Sequence, residues 1–201
     1  MILHDLVKPY KLILASQSPR RKKLLEGLDL TFEVIVRDGI HESYPVDLDM
    51  PGITEFLARR KSDHYTDLLD EKTILITADT IVWHKNKVLG KPANIQEAYK
   101  LVSRLSGNKH TVVTGVCLRS AQRTRVFHSI SEVVFRKLRH EEIYYYVTRY
   151  KPLDKAGAYG IQEWIGYVGI EKIEGSFFNV MGLPVQMVYN ELLKFVEGYT
   201  Q

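Results

Sequence analysis

Two short, unbroken apolar runs constrain this fold most: Lys11-Leu12-Ile13-Leu14-Ala15 and Thr73-Ile74-Leu75-Ile76-Thr77-Ala78. Runs of this length, bounded by polar residues, read as buried strands. Helix signals follow the first. Ser18 suits an N-cap and Pro19 a first helical position, so a helix is expected through about Gly27. Thr31 to Arg37 alternates like a strand, and a polar loop follows from Asp38 to Met50. Residues from about Gly52 to Leu69 read as a long amphipathic helix, and Thr80 to Trp83 extends the second apolar run. His84-Lys85-Asn86-Lys87 reads as a hairpin turn. Asn94 with Glu97 reads as a capping-box-like start to a helix ending near Gly107. Two β-rich runs, His110–Leu118 and Arg125–Phe135, precede a short helix over His140–Arg149. Gly157 to Gly182 reads as irregular, and Pro184 to Val196 as a closing helix with Pro184 in its first turn. Strands alternating with helices make the expectation an α/β fold with a sheet of mixed direction.

Composition narrows the class. The 201 residues fit one domain, or a domain with a lobe attached, and 1–201 is expected to be a single domain. Apolar residues at 45% and charged residues at 26% exclude a disordered, collagen-like or coiled-coil chain. Nothing approaches the roughly 18 apolar residues of a membrane span, and the first residues carry no cleavage signature, so neither membrane nor signal peptide is expected. Cys117 is the only cysteine, which excludes an intrachain disulfide and a cysteine zinc cluster; a cytoplasmic setting is the expectation. The net charge of +4 permits an anionic partner without requiring one.

The placement of the cations says more. After the first strand, Arg20-Arg21-Lys22-Lys23 sit in the first turns of a helix. A helix N-terminus already carries partial positive charge and unpaired N–H groups, so four more cations there are unfavourable without an anion. With phosphate present the same arrangement is a binding site. Arg20 and Arg21 are the candidates, with the Ser16 and Ser18 hydroxyls as further hydrogen-bonding groups; Lys22 and Lys23 are expected to face solvent. Asp79 interrupts an apolar strand, where an acid is disfavoured. A buried carboxylate needs a partner or a metal. Asp79 therefore reads as a base, a metal ligand or a paired structural acid. Glu42, in the polar loop, would join it on a hard divalent cation if the fold brings the two together.

Other polar residues are weaker on their own. Lys61, beside Arg59 and Arg60, reads as part of a solvated helix face, and Lys91, between Gly90 and Pro92, as a charge in a rigid loop. His110 reads as a structural hydrogen-bonding residue. Asp154 and Lys155 lie in a glycine-punctuated loop of the kind that forms binding surfaces.

Together these segments resemble the Maf family of nucleoside triphosphate pyrophosphatases, and within it the subgroup acting on dTTP and UTP. The matching pieces are Leu14-Ala15-Ser16-Gln17-Ser18-Pro19-Arg20-Arg21, Ala78-Asp79-Thr80-Ile81-Val82, Gly90-Lys91-Pro92, Ser106-Gly107 with His110, Asp154 to Gln162, and Asn179 to Pro184. They occur in family order across nearly the whole chain.

The resemblance implies an elongated α/β protein with a twisted mixed sheet flanked by helices, and a cleft between two lobes. It implies hydrolysis of a nucleoside triphosphate to monophosphate and pyrophosphate with Mg²⁺ or Mn²⁺. Asp79 would be the proton acceptor. Ser16, Arg20, Arg21, Lys61 and Lys91 would surround the triphosphate, and Glu42 would help Asp79 hold the metal. Arg20, Thr80 and Gln162 fall on the positions that mark the dTTP/UTP subgroup. The role implied is removal of unwanted pyrimidine nucleotides, and a homodimer is the family-level expectation.

One segment departs from the family pattern. Glu163-Trp164-Ile165-Gly166 follows Gln162 where the subgroup continues with glycine and small residues. This bears on base preference more than on the reaction. The competing class is a non-enzymatic nucleic-acid-binding module. It would need an extended basic stripe; these cations converge at one helix end, and Asp79, Glu42 and Asp154 would repel a phosphate chain. No stable nucleic-acid complex is expected.

Overall fold

The structure is a computed structural model and describes residues 2–198. In chain order the elements are α1 (Leu3–Leu6), β1 (Lys11–Leu14), α2 (Pro19–Glu26), β2 (Glu33–Val34), α3 (Met50–Asp63), β3 (Thr73–His84) and β4 (Lys87–Leu89). Then come α4 (Ile95–Leu105), β5 (Lys109–Arg119), β6 (Thr124–Phe135), α5 (His140–Tyr150), α6 (Trp164–Gly169), β7 (Ile170–Glu174), α7 (Phe177–Met181) and α8 (Val185–Glu197). Short 3₁₀ turns lie at Thr66–Leu68 and Ala156–Ala158. The strands form one mixed sheet in the order β2-β1-β3-β5-β6-β7, with β4 beside β3. β1 is parallel to both neighbours; β3 with β4 and β6 with β7 are antiparallel. The α/β class and mixed sheet read from the sequence are what the chain forms.

The chain divides into two compact units. The first takes the N-terminal segment to Asp79, Thr114–Ser129, and the segment from Gly182 on. Leu12, Ile13, Leu14, Leu25, Leu57, Leu75 and Ile76 fill its core at 3% exposure or less, so β1 and the first half of β3 are buried as their apolar runs require. α3 rests directly on the sheet. A Cβ at Gly115 of β5 would stand 2.4 Å from both the carbonyl carbon and oxygen of Thr54, so only glycine permits that approach. Thr77 Oγ1 on β3 donates to the Ala58 carbonyl at 2.7 Å and ties the helix a turn further along.

The second unit comprises Thr80–Val113 and Ile130–Met181. Its core gathers Val102, Leu105, Val133, Phe135, Tyr146, Val147, Ala158 and Ile165. Lys85 and Asn86 both adopt positive φ, 48° and 59°, the geometry of the two-residue turn expected between β3 and β4. Asn94 Oδ1 accepts the Glu97 N–H at 2.9 Å, the expected cap of α4.

Several expectations are corrected. Only Glu33 and Val34 of the Thr31–Arg37 run form strand, because β2 is an exposed edge pairing with β1 alone. α3 starts at Met50, capped by Asp49, and ends at Asp63 instead of continuing to Leu69. Tyr65 leaves the helix (φ −126°), buries its ring, and its hydroxyl accepts the Arg37 N–H at 2.9 Å. Gly157–Gly182 is not irregular: it holds α6, β7 and α7. Pro184 is the N-cap of α8, just before its first turn.

Candidate active site

The first unit holds two clusters. At the head of α2, Ser18 Oγ accepts the Arg21 N–H at 3.4 Å, the cap read from the sequence. Ser16 Oγ accepts the Ser18 N–H at 3.2 Å, which leaves its own O–H to donate. Arg20 is half-buried. Arg21 Nε donates to the Gly182 carbonyl and Nη1 to the Ala78 carbonyl, both at 2.8 Å. Its fork is thereby fixed at two corners beside the peptide leading into Asp79. Burial lowers the Arg21 pKa, and the Asp79 charge works against that shift. Lys22 and Lys23 are exposed, as expected.

The second cluster centres on Asp79, 6% exposed on β3. Lys61 Nζ on α3 contacts Asp79 Oδ1 and lies 2.9 Å from Glu42 Oε1. The Lys61 side chain is only 16% exposed, so the solvated face expected at this position is corrected. α3 turns that face to the sheet, and two carboxylates gather about the ammonium. Fold and loop thus bring together Lys61, Asp79 and Glu42, which sequence spacing alone could not join.

This arrangement bears on a divalent cation. Glu42 and Asp79 already share one positive group, so both lie within reach of a single cation. Two carboxylates, with phosphate oxygens and water completing the sphere, are the donor set Mg²⁺ prefers. Among the described residues no group of three or more His, Cys, Asp or Glu side chains gathers as a metal site, so a pair such as this would meet an ion with two protein ligands. The residues fit the ion.

Thr80, Lys91 and Gln162 belong to the second unit. Thr80 is half-buried on β3, next in sequence to Asp79. Lys91 is exposed, in a loop held by the Gly157 N–H on the Gly90 carbonyl at 3.1 Å. Gln162 lines a cavity of about 470 Å³ with Ile161, Tyr167, Ile170, Phe177 and Met181 among its walls. Its Oε1 is buried with no hydrogen-bond partner. Trp164 is not among the cavity's lining residues; its ring meets Tyr145 edge-on, 5.0 Å between centroids.

His110 is structural in geometry: its Nε2 pairs with Tyr159 Oη at 2.8 Å, inside a box with Phe135. Burial, helped by His84, pushes its pKa down to about 3. Sequence reasoning placed Asp154 and Lys155 in a binding loop but missed the links to Glu163 and Tyr146. Lys155 Nζ lies 2.7 Å from Asp154 Oδ1 and 3.1 Å from Glu163 Oε1, and Tyr146 Oη donates to Glu163 Oε2. The one available signal was the spacing of Ile143, Tyr146 and Val147, which puts Tyr146 on the inward face of α5.

The Maf-like protein family matches residues 11–195, and the chain belongs to that family. Similar proteins include the dTTP/UTP pyrophosphatase of Parabacteroides distasonis, 53% identical over 189 residues, which cover 94% of this chain and 98% of that one. The dTTP/UTP pyrophosphatase of Porphyromonas gingivalis is 51% identical, covering 96% and 98%. That of Flavobacterium johnsoniae is 46% identical, covering 97% and 100%. Among solved structures, a HAM1 protein from Coxiella burnetii is similar with a TM-score of 0.49 at 14% identity, covering 92% of this chain and 99% of that one.

Proposed function

We propose that this chain hydrolyses nucleoside triphosphates, dTTP and UTP foremost, to the monophosphate and pyrophosphate, with Mg²⁺ or Mn²⁺ as cofactor. The observation that carries the reading is the buried Asp79 joined to Lys61 and, through it, to Glu42. The names of relatives 46–53% identical over nearly the whole chain support it.

Asp79 is the general base. Water attacks the α-phosphorus, the bond to the bridging oxygen breaks, pyrophosphate leaves, and the Asp79 carboxylate takes the proton the water gives up. Arg20, Lys61 and Lys91 neutralise the triphosphate. Arg21, anchored at two carbonyls, adds a fixed charge, and Ser16 donates its O–H. When bound through Glu42 and Asp79, the divalent ion supplies charge neutralisation at the phosphate oxygens.

Gln162, with Arg20 and Thr80 at the other positions marking the subgroup, selects the base. A carboxamide offers one acceptor and one donor edge, which matches N3–H and an adjacent carbonyl of uracil or thymine; cytosine lacks the N3–H. Oε1 is stranded without a donor, a state that costs about 1–3 kcal/mol and that rotation toward a base N–H in the cavity relieves. The cavity volume and mostly apolar walls are those of a small-molecule site. A cytoplasmic homodimer that clears unwanted pyrimidine nucleotides is the cellular reading.

The test is a panel of each ribo- and deoxynucleoside triphosphate, with and without divalent metal, scored for pyrophosphate. Metal-dependent release from UTP and dTTP above the others is the expected result. Orthophosphate as product, or turnover blind to the base, refutes the reading.

A further inference from the structure

One phenol oxygen ties both ends of the turn that carries Gln162. Tyr146 Oη accepts the Gly160 N–H at 3.0 Å and donates to Oε2 of Glu163. Gly160 and Glu163 are the first and last residues of a four-residue turn, closed by the Glu163 N–H on the Gly160 carbonyl at 3.0 Å. Gln162 is its third residue. A second turn follows at once, with the Gly166 N–H on the Glu163 carbonyl at 2.8 Å.

The remaining side of the turn is equally fixed. Glu163 Oε1 pairs with the buried Lys155, which also holds Asp154. A Cβ at Gly160 would stand 2.9 Å from Glu163 Cδ, and one at Gly166 only 1.7 Å from the Ile161 carbonyl oxygen. A side chain at Gly166 would have to move the turn's backbone, and one at Gly160 would push aside the paired Glu163 and Lys155 side chains. Tyr146 is fully buried, and burial together with the Glu163 charge raises its pKa, which keeps the phenol protonated and donating. The Gln162 acceptor stands apart from this network, without a partner. A locked turn presenting an uncommitted carboxamide is the arrangement a selective site needs.

We infer that Tyr146 and Glu163 are positioning residues for base selection: through the Tyr146 hydroxyl they hold the turn that aims the Gln162 carboxamide. The inference rests on Gln162 reading the base. It also gives a reason for the departure after Gln162, since a glycine at 163 has no carboxylate to receive the phenol.

The test compares UTP and CTP turnover in wild type, Tyr146→Phe, Glu163→Gln and Gln162→Ala. Tyr146→Phe keeps the ring and removes both bonds. It should lower the UTP:CTP ratio of kcat/KM about tenfold, by raising KM for UTP while kcat and CTP turnover hold. Glu163→Gln keeps an oxygen to accept the phenol proton and should retain most of the ratio. If Tyr146→Phe does not fold, Glu163→Ala breaks the phenol's bond to 163, and the Lys155 pair with it, and should lower the ratio in the same direction. A ratio within twofold of wild type in Tyr146→Phe, or in Glu163→Ala where that stands in, overturns the inference. A collapse in Gln162→Ala beside such a result leaves the base-reading role of Gln162 standing. No effect in Gln162→Ala, or no preference in wild type, overturns both.

Discussion

Arg21 Nη1 lies 2.8 Å from the carbonyl oxygen of Ala78, so the guanidinium at the head of α2 grips the peptide that leads into Asp79. Its neighbour Arg20 shares the charge, and the two should separate on mutation. Arg21→Ala removes donors from two carbonyls and should cost about 3 kcal/mol of stability. Arg20→Ala should cost less stability and raise KM for the triphosphate, because it removes a fork donor from the anion site. Lys23→Ala, on the exposed side, should change neither. Melting curves and KM on all three variants decide; equal small effects from Arg20→Ala and Lys23→Ala would remove the phosphate cradle.

Asp79→Asn should fold and lose most turnover, roughly 10²- to 10⁴-fold, because the amide cannot take the water's proton. Lys61 keeps Glu42 as a partner in this variant, so the melt should stay close to wild type. A large fall in melting temperature would make Asp79 chiefly structural, and normal turnover would end its role as base.

Lys61→Met strips the cation from between two carboxylates, one of them buried. Leaving an uncompensated buried charge typically costs about 3–5 kcal/mol. A divalent ion should restore part of that, since a ligand bound only by the folded state stabilises it. The expected result is a larger rise in melting temperature on adding Mg²⁺ than wild type shows. No differential response would mean that Glu42 and Asp79 do not share an ion.

Trp164 packs on Tyr145 away from the cavity that Gln162 lines. Gln162→Ala should therefore reduce kcat/KM for UTP and dTTP about ten- to a hundredfold, with little change for CTP. Trp164→Gly should shift preference less. The reverse order, measured on UTP, dTTP, CTP and GTP, would hand base reading to the tryptophan.

His110 makes stability pH-dependent. Its folded pKa, about 3, lies below the unfolded value of 6.5, so the unfolded chain binds the proton more readily. The stabilisation is complete above pH 6.5 and drains away as pH falls toward 3, by about 1.4 kcal/mol per unit. Urea midpoints at pH 7.5 and 5 should differ less in His110→Gln than in wild type. Identical pH dependence would mean that other groups carry the effect.

Much of this was legible in the sequence because it is locally encoded. The runs at 11–15 and 73–78 have the length and polar bounds of buried strands, and Lys85-Asn86 and Asn94 carry their turn and cap chemistry locally. β7 was hidden because Glu171, Lys172 and Glu174 face solvent and erase its apolar alternation. Lys61 looked like one more surface cation beside Arg59 and Arg60. Its role depends on Glu42 and Asp79, 19 and 18 residues away, and only the fold supplies those neighbours.

Thr54 and Lys61 are seven residues apart on α3, close to two full turns, and so look out from the same side of the helix. Gly115 lies flush beneath Thr54, with no room for even a methyl group. The helix therefore behaves as a lever and the glycine as its fulcrum: any side chain at 115 must raise α3, and a stiff rod carries that lift to the ammonium at its far end. A buried residue with no side chain thereby sets how closely α3, and Lys61 on it, can approach the sheet.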